Sequence, residues 1–215
     1  MAEETDIEIL LVETLRKSDL TNVAAEIGEL GIDELLDDGL FKDVPVISAV
    51  RGLWKTGVAV RDAIFMKKLL MFLSELKELN PDDRSSMISR LEDDSDYGQK
   101  VGEHLIILLQ RFDNVNKPKL LAVAFKAYCK EEIDSSELQR FIIIIDRVLL
   151  SDLHYLPSYV AMGSSADIPA YIVEGFMNCG LAWSAPNYAT TTIQPTSIAR
   201  KFSKLIVESS DKNAS

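Results

Sequence analysis

The residues best suited to catalysis or metal binding are two histidines, His104 and His154, and two cysteines, Cys129 and Cys179. Neither histidine lies in an HExxH motif or in another metal-ligand spacing, and the cysteines form no CxxC pair. We therefore predict structural or surface histidines and buried, inert thiols. The sequence assigns no catalytic residue, no cofactor and no metal ligand, and it predicts a protein that is not an enzyme.

Two acidic runs, DDSD at residues 93–96 and EEID at residues 131–134, are the other candidates for metal binding. A calcium loop of the EF-hand type needs oxygen ligands at alternating positions, a central glycine and a closing glutamate. Neither run has that pattern, so both are predicted to be solvated loops. The sequence also lacks the glycine-rich phosphate motifs and the GxSxG motif of serine hydrolases.

The composition is typical of a soluble helical protein. Apolar residues make up 47% of the 215 residues and charged residues 27%, and abundant Leu, Ile, Ala, Glu and Lys favour helices. The two isolated cysteines and the acidic first residues, which lack the basic start of a signal peptide, predict a cytoplasmic location.

The net charge of −11 is concentrated in the first fifth of the chain. Residues 1–39 contain twelve acidic and two basic residues, whereas residues 40–215 contain twenty-two and twenty-one. Apolar residues recur at helical spacing over residues 5–18, and a second helix is predicted over residues 20–30. We predict that residues 1–39 form an acidic segment of two solvated helices.

Residues 40–156 are predicted to form a helical core. Pro45 suits the first turn of a helix, and residues 59–79 carry an apolar stripe of Ile64, Leu69, Leu70, Phe72, Leu73 and Leu76. Further helices are predicted over residues 81–91, 97–112, 117–129 and 135–153. The apolar run from Phe141 to Ile145 predicts that the last of these helices is buried on all sides.

Residues 44–72 combine apolar and basic side chains, with a net charge of +4 over residues 51–68. The candidate interaction residues are Arg51, Lys55, Arg61 and Lys68. The longest uncharged run, residues 44–50, is far shorter than the roughly twenty residues of a transmembrane helix. Two interpretations stay open. The segment is either a core helix pair whose bases contact the N-terminal acids, or a surface for a partner protein or an anionic membrane.

The C-terminal part, residues 157–215, is predicted to begin with an irregular region. A helix capped by Asp167, with Pro169 in its first turn, is predicted to end at Gly180. Two short strands are predicted around Pro186 and Asn187, and Thr196 is predicted to cap the last helix. Four of that helix's residues are predicted to face inward: Ile198, Phe202, Leu205 and Ile206.

The order helix, hairpin and helix in "GLAW…YATTTIQPTSIARKF" resembles the end of a winged-helix domain. Such domains place the helix before the wing in a DNA groove, but here that helix carries Asp167 and Glu174 and no base. The only nearby bases are Arg200, Lys201 and Lys204, on a helix that packs in that topology. DNA recognition is therefore disfavoured.

Other stretches resemble bacterial helical proteins. The C-terminal pattern is similar to that of phage-defence (abortive-infection) proteins, and "LAVAFKAYCKEEIDSSELQRFIIIIDRV" is similar to helical domains of the tellurite-resistance type. The segment "FKDVPVISAVRGLWKTGVAVRD" resembles one in small uncharacterised bacterial proteins. The expected fold is a mainly α, multi-helix bundle with a small, winged-helix-like C-terminal β-hairpin.

Three functions follow from these observations. The first is a non-enzymatic bacterial protein that acts through a protein partner or self-association, in stress or phage defence. The second is an effector that binds anionic membranes through residues 44–72. The third is a transcriptional regulator that uses the C-terminal module.

Overall fold

The computed structural model describes residues 2–21, 23, 44–54, 60–95, 97, 100–163, 168–186 and 191–212. These residues form ten α-helices, two 3-10 helices (Leu76–Glu78 and Leu150–Tyr155) and two strands. The helices are α1 Ala2–Lys17, α2 Pro45–Trp54, α3 Val60–Glu75, α4 Pro81–Asp93, α5 Val101–Arg111, α6 Lys117–Cys129, α7 Ser135–Arg147, α8 Leu156–Met162, α9 Ala170–Cys179 and α10 Ser197–Lys212. The strands are β1 Ala182–Pro186 and β2 Thr191–Pro195. The predicted mainly α fold with a C-terminal hairpin is confirmed.

The chain divides into two compact units, Met1–Ser135 (unit 1) and Ser136–Ser215 (unit 2). The sequence predicted divisions after residues 39 and 156. Residues 24–43, which contain the first of those divisions and most of the predicted second helix, lie outside the described residues.

In unit 1, α1 packs against α2, α4 and α5. Leu11, Thr14 and Leu15 are fully buried, because they recur at the i, i+3 and i+4 spacing of one helix face. The Oγ1 atom of Thr14 accepts a hydrogen bond of 3.2 Å from the backbone N–H of Val46, in the first turn of α2. The prediction of a solvated N-terminal helix is therefore wrong for α1, which is part of the core.

A buried arginine joins the end of α1 to α4. Only 1% of Arg84 is exposed, and its guanidinium donates to the carbonyl oxygens of Leu15 and Leu79, both at 2.7 Å, and of Ser18. The last carbonyl groups of a helix have no partner within the helix. Arg84 supplies that partner for α1.

Helices α3 and α6 pack against each other in the centre of unit 1. The rings of Phe72 and Phe125 meet edge to face, with centroids 5.8 Å apart, and both side chains are fully buried. The predicted apolar stripe of α3 is buried except for Ile64, which is 39% exposed. Ile64 lies nine positions before the buried Leu73, which places it about 180° away around the helix. The prediction of an inward position was therefore wrong for Ile64.

In unit 2, Phe141 of α7 contacts Phe202 of α10, with ring centroids 5.1 Å apart. Helix α7 ends at Arg147, six residues earlier than predicted, and a 3-10 helix follows. The helix is also not buried on all sides, because Ile143 is 40% exposed. Four neighbouring apolar residues are buried while this one faces outward, as expected of an amphipathic helix.

The region before α9 was predicted to be irregular, but Leu156–Met162 form a helix that ends at Gly163 with φ at 68°. Tyr159 of α8 packs against Phe176 of α9, with centroids 5.6 Å apart. Pro169 caps α9 rather than lying in its first turn, and Asp167, the predicted cap, lies outside the described residues.

The hairpin and its following helix agree with the prediction. Strands β1 and β2 are antiparallel, with Trp183 opposite Gln194. The backbone N–H of Ala199 donates to Thr196 Oγ1 at 3.1 Å, which confirms the predicted cap of α10. Phe202 is buried as predicted, whereas Ile198, Leu205 and Ile206 are half-buried.

Candidate functional site

Unit 1 contains a concave site, here called the acidic cleft, with a volume of about 680 Å³. It lies between α1, the end of α4 with the loop that follows, and the start of α5. Its lining residues are Glu8, Ile9, Val12, Glu92, Asp93, Asp94, Ser95, Lys100, Gly102 and Glu103. Among these lining residues five are acidic and one is basic. A volume of this size is typical of ligand-binding clefts.

The α1 side of the cleft carries two apolar side chains, Ile9 and Val12, beside Glu8. Ile9 is 60% exposed, and Val12 lines the cleft three residues further along α1. Ile9 lies two positions before the buried Leu11, and two positions correspond to about 200° around a helix. The packing of Leu11 and Leu15 into the core therefore holds Ile9 at the surface. An exposed isoleucine inside a concave site is available for contact with a ligand.

Arg16 fixes the position of α4 relative to α1. Its guanidinium pairs with Glu92 at 2.8 Å and donates to the hydroxyl oxygens of Ser85 and Ser89 at 3.2 and 3.0 Å. One carboxylate of the cleft is thus held by a base of the protein itself. The ion pair of Arg16 and the hydrogen bonds of Arg84 together fix the distance between α1 and α4, which form two walls of the cleft.

Gly102 allows α5 to approach α1 closely. A Cβ atom at this position would lie 2.6 Å from the backbone oxygen of Glu8 and 3.0 Å from a methyl carbon of Val12. The first distance is below van der Waals contact and involves backbone, which cannot rotate away. Because Gly102 has no side chain, α1 and α5 can approach closely, and Glu8 and Glu103 therefore come near each other.

We predict that Gly102→Ala lowers the free energy of unfolding by about 1–3 kcal/mol, as overpacking does. Gly52→Ala is the control, because a Cβ there meets no atom within 4 Å. That change in a helix is expected to stabilise the protein by about 0.5–1 kcal/mol. Urea unfolding followed by circular dichroism measures both changes, and equal effects of the two variants would contradict the close packing.

A hydrogen bond attaches the loop after α4 to α5. The Tyr97 hydroxyl lies 2.9 Å from Nδ1 of His104, and Tyr97 is 5% exposed. Burial, and to a smaller extent Arg111, lowers the pKa of His104 below its usual value. Burial raises the pKa of the Tyr97 hydroxyl. Both shifts favour the uncharged forms, so the hydrogen bond joins a neutral imidazole to a neutral phenol.

The lowered pKa of His104 predicts that acid destabilises the protein. The unfolded chain takes up the proton near pH 6.5, whereas the folded chain does so only at lower pH, so stability falls as the pH decreases through that interval. His104→Gln should reduce the loss of stability between about pH 7.5 and about pH 5. Urea titrations at the two pH values measure it, and an unchanged loss would contradict the assignment to His104.

The chemistry that the acidic cleft supports is attraction of cations. Several carboxylates that face one concave volume create a negative potential that is stronger than on a convex surface. Within the part of the chain that the structure describes, no group of three or more His, Cys, Asp or Glu side chains is arranged to hold a metal ion.

Two of the bases predicted as interaction residues are in the interior of unit 1. Arg51 is 7% exposed and Lys68 is 5% exposed. The ammonium of Lys68 donates to the carbonyl oxygens of Gln110, at 3.4 Å, and Phe112, at the end of α5. Burial lowers the pKa of Lys68. Lys55 lies outside the described residues, and for Arg61 the structure describes the backbone of α3 but not the side chain.

The three predicted bases of α10 are exposed. Arg200 donates to the carbonyl oxygen of Val160 at 3.3 Å, and Lys201 forms an ion pair with Glu137. On the preceding helix, α9, the exposed side chains include Tyr171, which is 71% exposed, and Met177. Glu174 is also exposed on this helix, and a surface with a carboxylate and no base is unsuited to phosphate contacts.

None of the remaining candidates from the sequence is among the described lining residues of the cleft. Cys179 is buried and Cys129 is half-buried, and burial raises the pKa of both thiols. The Nδ1 atom of His154 contacts the carbonyl oxygen of Ser151 in the 3-10 helix.

The sequence did not reveal the acidic cleft. The run at 93–96 was noted, and the structure places Asp93 and Asp94 in the cleft lining, whereas Asp96 lies outside the described residues. Glu8 and Glu103 are far apart in the sequence, so no spacing links them. The one usable signal was Ile9, an apolar residue outside the buried stripe of α1.

No protein-family model, curated protein sequence or solved structure matches this chain. The resemblances drawn from the sequence therefore stay predictions. Within the described parts of the chain, no helix is both long enough and apolar enough to cross a membrane.

Proposed function

We propose that the protein acts by binding another protein, and that the acidic cleft of unit 1 is the site that receives a basic segment of this partner. The observation that carries the proposal is the cleft itself, a volume of about 680 Å³ in which Ile9 is 60% exposed. A concave site with an exposed apolar side chain and a charged rim has the composition of a recognition site.

The cleft supports binding better than catalysis. Carboxylates can act as general acids or bases, but a nucleophile must lie within hydrogen-bond distance of its base, and the described lining residues include no histidine or cysteine. Ser95 is the one hydroxyl among them, and it lies on an exposed loop. The proposal is accordingly a non-enzymatic role. Its place in stress or phage defence stays a prediction.

The cleft also supports a protein partner better than the lipid surface considered from the sequence. Lipid binding required Arg51 and Lys68 to flank an exposed apolar face, but both are buried. The apolar residues of α2, Val46, Ile47 and Val50, are buried as well. The carboxylates of the cleft would repel an anionic membrane.

Site-specific photo-crosslinking tests this proposal. A photoreactive amino acid replaces Ile9 in the full chain, and the chain is produced in cells of the organism that encodes it. We expect one dominant crosslinked protein, which in purified form binds the unmodified chain. The control position is Glu132, which is exposed and does not line the cleft.

The proposal fails if positions 9 and 132 give the same products, or if position 9 gives none. If the main product is a crosslinked dimer of this chain, the partner is a second copy of the same protein. In that case the cleft would be an interface between two copies.

A further inference from the structure

We infer that the partner segment in the acidic cleft is short and amphipathic, with one or two apolar side chains flanked on both sides by lysine or arginine. This inference rests on the proposed function and adds the chemistry of the occupant. It combines three features of the cleft: its size, its apolar wall and the positions of its carboxylates.

The size limits the occupant to a few side chains. A volume of about 680 Å³ lies within the range of clefts that enclose a drug-sized ligand, roughly 300–1,000 Å³. A whole helix would not fit into such a volume. A short segment that inserts one or two side chains would fit.

The apolar wall requires an apolar side chain at the centre of the segment. Ile9 is 60% exposed and Val12 is half-buried next to it on α1. Contact with an apolar group removes both surfaces from water, which favours binding in proportion to the area covered. A purely polar cation would leave this surface exposed to water.

The carboxylates require bases on both sides of that side chain. Glu8 and Glu103 belong to α1 and α5, which meet at Gly102. Asp93 lines the cleft from the end of α4. Arg16 neutralises Glu92, and Lys100 is the one base among the described lining residues. The cleft thus has carboxylates on three helices around an apolar wall. A segment with an apolar side chain between two cations is complementary to this arrangement.

Four short peptides that differ by single features test the inference by fluorescence anisotropy with the full chain. The first has the order Gly-Lys-Leu-Leu-Lys-Gly. In the others, glutamine replaces both lysines, glutamate replaces both lysines, or serine replaces both leucines. We expect the first peptide to bind at least about tenfold more tightly than each of the others, and more weakly at high salt.

Charge-reversal variants of the protein test whether the peptide binds in the cleft. Glu8→Lys with Glu103→Lys should weaken binding of the first peptide by about tenfold or more. Glu132→Lys with Glu174→Lys makes the same change of net charge outside the cleft and should alter the affinity less than about twofold. If the first pair fails to fold, Glu8→Gln with Glu103→Gln replaces it and should still weaken binding measurably.

The outcomes separate this inference from the proposed function. If the serine peptide binds as tightly as the first peptide, the inference is overturned, while a cleft that receives a basic segment remains. If the glutamine peptide binds as tightly as the first peptide, the inference is overturned and the basic segment of the proposed function fails with it. If spermine binds but no peptide does, the occupant is a small cation and both proposals fail. Equal loss of binding in the two charge-reversed pairs shows non-specific attraction and also overturns the inference.

Discussion

Replacing Arg84 by methionine is expected to lower the free energy of unfolding by about 3–4 kcal/mol. The side chain is 1% exposed. Its guanidinium bonds to three carbonyl oxygens, those of Leu15, Leu79 and Ser18. In the variant the carbonyl oxygens of Leu15 and Leu79 stay buried without this donor, and that of Ser18 is part-buried. A buried polar group without a partner costs more than the bond itself contributed.

Two further variants define the cause of this effect. Arg84→Lys keeps the charge, but its three N–H groups sit on one nitrogen, whereas Arg84 uses three nitrogens to reach three separate acceptors. The lysine variant should therefore recover only part of the loss. Arg140→Met removes an exposed arginine and should change the stability by less than about 0.5 kcal/mol. Urea unfolding at neutral pH measures all three. If Arg84→Met matched Arg140→Met, the buried guanidinium would not be the link between α1 and α4.

Replacing Phe125 by alanine is expected to cost about 3–5 kcal/mol, the usual range for a buried phenylalanine. Phe125 is fully buried and meets Phe72 edge to face at 5.8 Å. The loss therefore combines transfer of the ring to water, a cavity between α3 and α6, and the aromatic pair.

Tyr171→Ala is the matched aromatic control for Phe125→Ala. Tyr171 is 71% exposed, so its removal should change the stability by less than about 0.5 kcal/mol. The Phe72→Ala, Phe125→Ala double variant should lose less than the sum of the two single losses, because the aromatic contact is counted in both. A loss below about 1 kcal/mol for Phe125→Ala would contradict the central position of this residue.

The helices that the sequence predicted best are those with local start and stop signals. Helix α6 runs over Lys117–Cys129 as predicted, because Pro118 suits its first turn and the apolar spacing continues to its end. The hairpin was predicted for the same reason, since Gly180 and the β-branched run at 190–193 are local signals. Helix α8 was missed because its seven residues are too few for the apolar spacing of a helix to be recognised.

The buried charges depend on tertiary contacts and left no local signal. Arg84 and Lys68 are both buried, because the carbonyl groups at the ends of α1 and α5 need donors. A sequence pattern shows a charged residue on a helix, and the usual inference is an exposed one. Only the packing of one helix end against another helix reverses that inference.

The acidic cleft also depends on tertiary contacts that leave no local signal in the sequence. Its carboxylates come from α1, α4 and α5, and they meet because Gly102 lets two helices approach closely. The sequence indicated correctly that acidic residues dominate the N-terminal part, and it assigned them to solvated helices. The sequence did not indicate which of these acidic residues would line the same cleft.

The most direct test of the account is methyl NMR of the full chain with labelled isoleucine and valine, titrated with the Gly-Lys-Leu-Leu-Lys-Gly peptide. The account predicts saturable shifts of the Ile9 and Val12 methyl signals. It also predicts no shift of Ile143, an isoleucine of unit 2 that is 40% exposed. Shifts at Ile143 equal to those at Ile9, or no shift at Ile9 at saturating peptide, would contradict the assignment of the acidic cleft as the binding site.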